Sequence, residues 1–231
     1  MAVAIVNASS AIQESSSGVT SFTSAFDATG ADYLVVFVAD LTGDTTTGVT
    51  YNGTSMTQIT KVTRSPNEGS LHLYAYGLLN PATGTNNIVV SRSGTTATID
   101  LTAYALSGAN TTTPVNTSGT ANGAGSGGTS LSVSLTTTVD GCGILGWWVM
   151  DNGSITAGSN LTLDATGGAG NRPAFGSFRA TTFPQVSAGS FTGTANGGVG
   201  SNRGGILVAI APAAAAATGV TGRLMMMGMG R

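Results

Sequence analysis

The chain has 231 residues, enough for one large all-β domain, and only 8% of them are Asp, Glu, Lys or Arg, against roughly 25% in an average soluble domain. A net charge of −2 leaves no basic patch to neutralise phosphates, which argues against nucleic-acid binding. The single cysteine, Cys142, excludes an internal disulfide and lies in an apolar pattern typical of a buried, inert thiol.

The first quarter of the chain is predicted to form a series of strands. Alternating or β-branched apolar residues indicate strands at 2–8, 19–26 and 33–39, and a hairpin at 49–62. The run 33–39 is nearly all apolar, which predicts a central strand covered on both faces. Asn52-Gly53, between alternating residues, predicts a type I′ hairpin turn.

The stretch 71–106 gives the clearest two-residue alternation in the chain. It predicts three strands and two turns, namely strands at 71–78, 87–91 and 97–106 and turns at 80–84 and 93–95. Strands joined by such short turns predict an antiparallel meander with one dry and one solvated face. His72 alternates with Leu71 and Leu73, which places it on the solvated face.

The second half begins with 107–128, a low-complexity segment that predicts an extended surface loop. Further strands are predicted at 131–135, 143–150, 160–164, 174–182, 186–192 and 205–210. Adjacent Trp147 and Trp148, in the central strand 143–150, must point to opposite faces. One indole is expected in the core. The other either stacks on a glycan or packs in the core or an oligomer seam, and packing is favoured.

An alanine-rich spacer and a methionine-rich segment follow the last predicted strand, which divides the chain into a domain at 1–212 and an extension at 213–231. The segment is too apolar for a free tail, and methionine adapts to irregular surfaces. Its docking residues are predicted to be Leu224, Met225, Met226, Met227 and Met229. They are expected to bind a neighbouring subunit or a partner shell; the alternative is an edge strand on their own sandwich.

No set of side chains predicts catalysis, a cofactor site or a metal site. Acid–base or triad chemistry would depend on the single histidine, His72, and there is no Gly-x-Ser-x-Gly motif. Asp40 and Asp44 flank a loop without the calcium-loop pattern, which favours a solvated turn over a weak cation site. The glycines of 123–128 are followed by neither a lysine nor a predicted helix, so they do not form a phosphate loop.

The sequence predicts a cytoplasmic product that leaves the cell only within a larger particle. Its start, MAVAIV, has no charged region and no cleavage site, so no signal peptide is expected. The apolar run 206–217 is too short to span a bilayer and contains Pro212, so no membrane insertion is expected.

Six segments carry a family resemblance: ADYLVVFVADLTG (31–43), VTYNGTSMTQI (49–59), LYAYGLLNPATGTNNIVVSRSG (73–94), TAYALSGANTTTPVN (102–116), SLSVSLTTT (130–138) and GILVAIAP (205–212). In this order they resemble a β-sandwich domain that recurs in tailed-bacteriophage virion proteins and in some bacterial surface proteins. The resemblance covers residues 2–212 and leaves the methionine-rich segment outside. Its motifs specify a fold rather than a reaction, so it implies no catalytic residue.

The sequence therefore predicts an all-β, antiparallel, jelly-roll-like sandwich that acts as a non-enzymatic virion structural protein. The expected role is capsid decoration, with partners that are further copies of the chain, for example in a trimer, and the major capsid protein. A first alternative is a tail or head fibre domain that binds host glycans through Trp147 or Trp148. A second alternative is a hydrolase that acts on a cell-surface polymer.

Overall fold

The computed structural model describes residues 2–15, 18–41, 43–63, 71–94, 98–150, 154–168 and 173–214, and only the backbone of 124–127 and 199–202. These residues form strands and no helix, so none of them belongs to a helix that could cross a membrane. In chain order the strands are β1 Ala4–Ala8, β2 Gln13–Glu14, β3 Ser21–Asp27, β4 Tyr33–Asp40, β5 Thr46–Tyr51, β6 Thr54–Ser55, β7 Thr57–Thr63, β8 His72–Leu79, β9 Thr85–Arg92, β10 Ile99–Ser107, β11 Val115–Thr137, β12 Gly143–Met150, β13 Thr156–Ala157, β14 Leu161–Gly167, β15 Ala174–Ala180 and β16 Gly189–Ile210.

The strands pair into antiparallel sheets that pack face to face, which confirms the predicted all-β, sandwich-like fold. The middle sheet has the order β1-β10-β4-β8-β7, and β2 also pairs with β10. The small sheet, β3-β9-β5-β6, packs on one face of the middle sheet. The large sheet, β11-β16-β12-β15-β14, packs on the other face, and β13 pairs with β16.

Strand β4 lies at the centre of the molecule and is buried along its whole length, as its apolar sequence predicts. Val35 and Phe37 pack in the core shared with the large sheet. Val36 and Val38 pack in the core shared with the small sheet. Because successive strand residues point to opposite faces, one strand supplies two cores, and its residues from 34 to 39 are all apolar.

A third core lies on the outer face of the large sheet, under a part of that sheet which folds back over it. β11 and β16 are 23 and 22 residues long and pair over most of their length, with register shifts between Ala124 and Ser130. Asn116 Nδ2 donates to Thr138 Oγ1 at 2.7 Å, so the two ends of β11 meet. The paired stretch made of residues 130–137 of β11 and 189–196 of β16 is called the fold-back below, and Val133 packs there on the buried Trp148.

The prediction of a surface loop at 107–128 is wrong, because β11 begins at Val115 and runs through the rest of that segment. The structure requires glycine at position 119 because two layers of backbone are in close contact there, and not because the segment is a flexible loop. A Cβ on Gly119 would lie 2.1 Å from the Ser134 carbonyl oxygen in the fold-back. At Gly119, therefore, glycine allows two backbone layers to pack closely.

The meander predicted at 71–106 is also wrong, although its three strands exist. β8 and β10 both pair with β4 in the middle sheet, whereas β9 pairs with β3 and β5 in the small sheet. The turn at 80–84 therefore carries the chain from one sheet to another. β10 has no solvated face, because all of its residues except Ser107 are buried.

The predicted hairpin turn is confirmed. Asn52 and Gly53 have φ values of 47° and 75°, and positive φ at both central residues is the mark of a type I′ turn. The hairpin itself is short, since only Thr54 and Ser55 pair back onto β5. After Met56 the chain leaves the small sheet and continues as β7, which pairs with β8 in the middle sheet.

Candidate functional site

Charged side chains gather at one end of the middle sheet, where β4 and β9 end. Asp40 Oδ1 and Arg92 Nη2 are 2.8 Å apart, and both side chains are fully buried. Thr45 Oγ1 donates to Asp40 Oδ2 at 2.5 Å, and Arg92 Nε donates to Thr45 Oγ1 at 3.0 Å. The pair thus joins the middle sheet to the small sheet, and the solvated turn predicted at Asp40 is wrong.

A second ion pair lies beside the first one and is more exposed. Lys61 Nζ is 2.5 Å from Asp44 Oδ2, and the Tyr74 hydroxyl donates to Asp44 Oδ1 at 2.7 Å. The Lys61 contact and then the Tyr74 hydrogen bond lower the pKa of Asp44, whereas burial and the bond to Asp44 raise the pKa of Tyr74. At neutral pH Asp44 stays ionised and Tyr74 stays protonated, so this pair is unsuited to proton transfer.

His72 begins β8 and lies opposite Asp40 in the strand register. It is half-buried rather than solvated, and its ring centroid is 6.2 Å from that of Tyr74. Across the part of the chain that the structure describes, no three His, Cys, Asp or Glu residues come together to hold a metal ion.

A further polar contact joins the middle and large sheets. The Tyr104 hydroxyl of β10 donates to Asp164 Oδ2 at 2.9 Å, and Arg179 of β15 pairs with the other Asp164 oxygen. Burial raises the pKa of both Tyr104 and Asp164. Sequence reasoning missed this contact, because it depends on a layer arrangement that strand periodicity does not reveal.

Trp147 and Trp148 point to opposite faces of β12 as predicted, and both are fully buried. Trp147 stacks between Phe37 and Phe175, with ring centroids 6.4 Å and 5.7 Å away. Trp148 and Phe178 pack edge to face under the fold-back, with ring centroids 5.2 Å apart. Neither indole offers a ring face to a glycan, so the predicted glycan contact is corrected to core packing on both sides of a layer.

An open groove of about 740 Å³ lies at the point where the described chain leaves β16. We call it the exit groove. Apolar Val139, Val186, Pro212, Ala213 and Ala214 line it together with polar Asn110, Asn116, Thr138 and Asp140. Val139 and Val186 are 41% and 75% exposed, and with Val6 they are the exposed large apolar side chains of the described residues. Two of these three valines therefore share one groove.

Backbone hydrogen bonds hold the two loops that present these valines. Gly141 N donates to Gln185 O and Gln185 N donates to Cys142 O, both at 2.8 Å. Asp140 Oδ1 accepts from the Ala188 amide at 2.6 Å. The loops are thus fixed to each other, so the valine positions are set by hydrogen bonds rather than by apolar packing.

The exit groove is a site that sequence reasoning missed. The sequence places Val139 in a turn and Val186 in a weak strand, and an isolated valine in either setting gives no signal of exposure. Cys142, beside the groove, is buried as predicted, and burial raises the pKa of its thiol. The predicted docking residues Leu224, Met225, Met226, Met227 and Met229 lie outside the described residues.

Comparisons with known proteins add no assignment to this geometry. No protein-family model matches the chain, and no curated protein sequence matches it either.

Proposed function

We propose that this protein is a non-enzymatic structural component of a tailed-bacteriophage virion. Its role is that of a capsid decoration protein, which forms homo-oligomers and docks on other virion proteins such as the major capsid protein. The exit groove is the observation that carries this proposal. It exposes Val139 and Val186 beside the point where the chain continues toward its methionine-rich segment.

The distribution of polar groups supports the same role. The fully buried Asp40–Arg92 pair and the Tyr104–Asp164 bond connect layers of the fold. Only 8% of the residues are charged, so subunits can approach one another with little electrostatic repulsion. Association then depends on buried apolar surface, at roughly 25 cal/mol per Å² before the costs of association.

The test is the copy number of the protein in virions assembled with altered chains. Deletion of 218–231 and the double substitution Val139→Ser/Val186→Ser are each expected to reduce the copies per particle, counted by quantitative mass spectrometry. Val6→Ser is the matched control, because Val6 is 43% exposed on β1 and does not line the groove. Unchanged occupancy with both altered chains would contradict the proposed role.

A further inference from the structure

We propose that the exit groove binds residues 224–229 of its own chain in the free protein. This inference rests on the proposed function and adds regulation to it. The segment would first be held in the groove and would have to leave it before the segment and the vacated groove can both dock in the assembly. Continuity of the chain, the chemistry of the groove and its charge each support this occupant.

The chain leaves the described fold from within the groove. Ala213 and Ala214 line it, and the Ala213 amide donates to Gly108 O at 2.7 Å, which fixes the point of departure. Ten residue steps separate Ala214 from Leu224, a reach of up to roughly 35 Å. A short tether gives a local concentration of about millimolar, far above that of a second copy in dilute solution, so the chain's own segment is favoured.

The chemistry of the segment matches that of the groove. Val139 and Val186 present apolar surface at an open, irregular site. Leu224 and the four methionines at 225–227 and 229 form a run of unbranched or flexible apolar side chains. Methionine can adapt to such a surface where a rigid side chain would leave gaps.

Charge complementarity favours the same occupant. Asp140 is the one ionisable side chain among the described residues that line the groove, and it is exposed. Arg223 directly precedes the apolar run and Arg231 follows it. Opposite charges at the rim of an apolar contact set its register more than its strength.

The test is disulfide formation in the isolated full chain. In Val186→Cys/Met226→Cys, mild oxidation is expected to form an intramolecular disulfide about tenfold faster than in the control Val6→Cys/Met226→Cys, because docking raises the local concentration of the thiol. Val6 is an exposed valine outside the groove, and native Cys142 is fully buried and does not compete. A further Asp140→Asn change keeps an acceptor for the Ala188 amide, and it should slow the reaction and reduce its dependence on salt.

Equal rates in the two cysteine pairs would overturn the proposal. Disulfides that join two chains, identified in a mixture of ¹⁴N- and ¹⁵N-labelled protein, would also overturn it and assign the groove to a second copy. The result is independent of virion assembly. Equal rates together with reduced occupancy after deletion of 218–231 would reject self-docking alone. A fast intramolecular disulfide together with unchanged occupancy would reject the virion role alone.

Discussion

Asp40 offers both of its carboxylate oxygens to residues that flank or belong to the small sheet. Oδ1 receives Arg92 Nη2 at 2.8 Å, and Oδ2 receives the hydroxyls of Thr45 at 2.5 Å and Thr46 at 3.2 Å. A buried ion pair repays the loss of hydration only when its remaining hydrogen bonds are made. Thr45 and Thr46 make these hydrogen bonds to Asp40. The ion pair is therefore tolerated in the interior, where it fixes the position of the small sheet on the middle sheet and adds little net stability.

Asp100 makes the stability of the fold depend on pH. It is fully buried in β10, and burial raises its pKa to about 7. The unfolded value is about 3.9, so the folded chain binds more protons between these pH values. The free energy of unfolding should therefore fall as pH rises from about 4 to about 7, by roughly 4 kcal/mol at about 1.4 kcal/mol per pKa unit. Asp100→Asn should remove this loss.

The readout is the difference in urea unfolding free energy between Asp100→Asn and the native chain across pH 4 to 8. As pH rises to about 7, the unfolding free energy of the variant should increase relative to that of the native chain, and above pH 7 the difference should stay constant. Asp44→Asn is the matched control, because hydrogen bonds from Lys61 and Tyr74 lower the pKa of Asp44. Its pH dependence therefore lies below about pH 4, and its difference from the native chain should stay nearly constant from pH 4 to 8. A pH-independent difference for Asp100→Asn would show that Asp100 stays ionised in the folded chain.

The bent pair of strands β11 and β16 depends on glycine where its two layers touch. Gly119→Ala would place a Cβ 2.1 Å from the Ser134 carbonyl oxygen, and backbone cannot move aside as a side chain can. We expect this substitution to lower the free energy of unfolding by about 1–3 kcal/mol. Gly48→Ala in β5 is the control, because its Cβ would meet nothing within 4 Å. Urea unfolding should find Gly48→Ala neutral or slightly stabilising, and an equal loss in both variants would contradict the close contact.

Sequence periodicity predicts which residues form strands far better than it predicts which strands pair. The apolar runs in β4 and β12 predict burial on both faces, and both strands are buried throughout. The turn at 80–84 gives the same local signal whether it joins strands of one sheet or of two. Pairing of Val115 with Ile210 spans most of the second half of the chain, and no local pattern carries that information.

The candidate site was less predictable than the fold, for a related reason. Whether a valine or a tryptophan is exposed depends on which layer covers it. The fold-back covers Trp148, which made the glycan prediction fail, whereas nothing among the described residues covers Val186. The burial of Trp148 and the exposure of Val186 both depend on which distant strands pack over them. A single sequence does not reveal this, because it does not show which strands pair.

At the scale of the whole molecule, neighbouring cores share sheets. The middle sheet belongs to the core with the small sheet and to the core with the large sheet. The large sheet in turn covers the third core under the fold-back. Loss of packing in one core must therefore disturb a sheet that a neighbouring core needs, which predicts a single unfolding transition for all layers.

Three fully buried leucines test this coupling, since one lies in each core: Leu34, Leu145 and Leu207. Each Leu→Ala substitution should lower the free energy of unfolding by about 2–5 kcal/mol. The decisive comparison uses tryptophan fluorescence, because Trp147 and Trp148 both lie in the large sheet, away from Leu34 in the core with the small sheet. Leu34→Ala should shift the fluorescence transition in urea as far as it shifts the circular dichroism transition. If fluorescence kept its native midpoint while circular dichroism moved, the small sheet would unfold on its own and the layers would not form one cooperative unit.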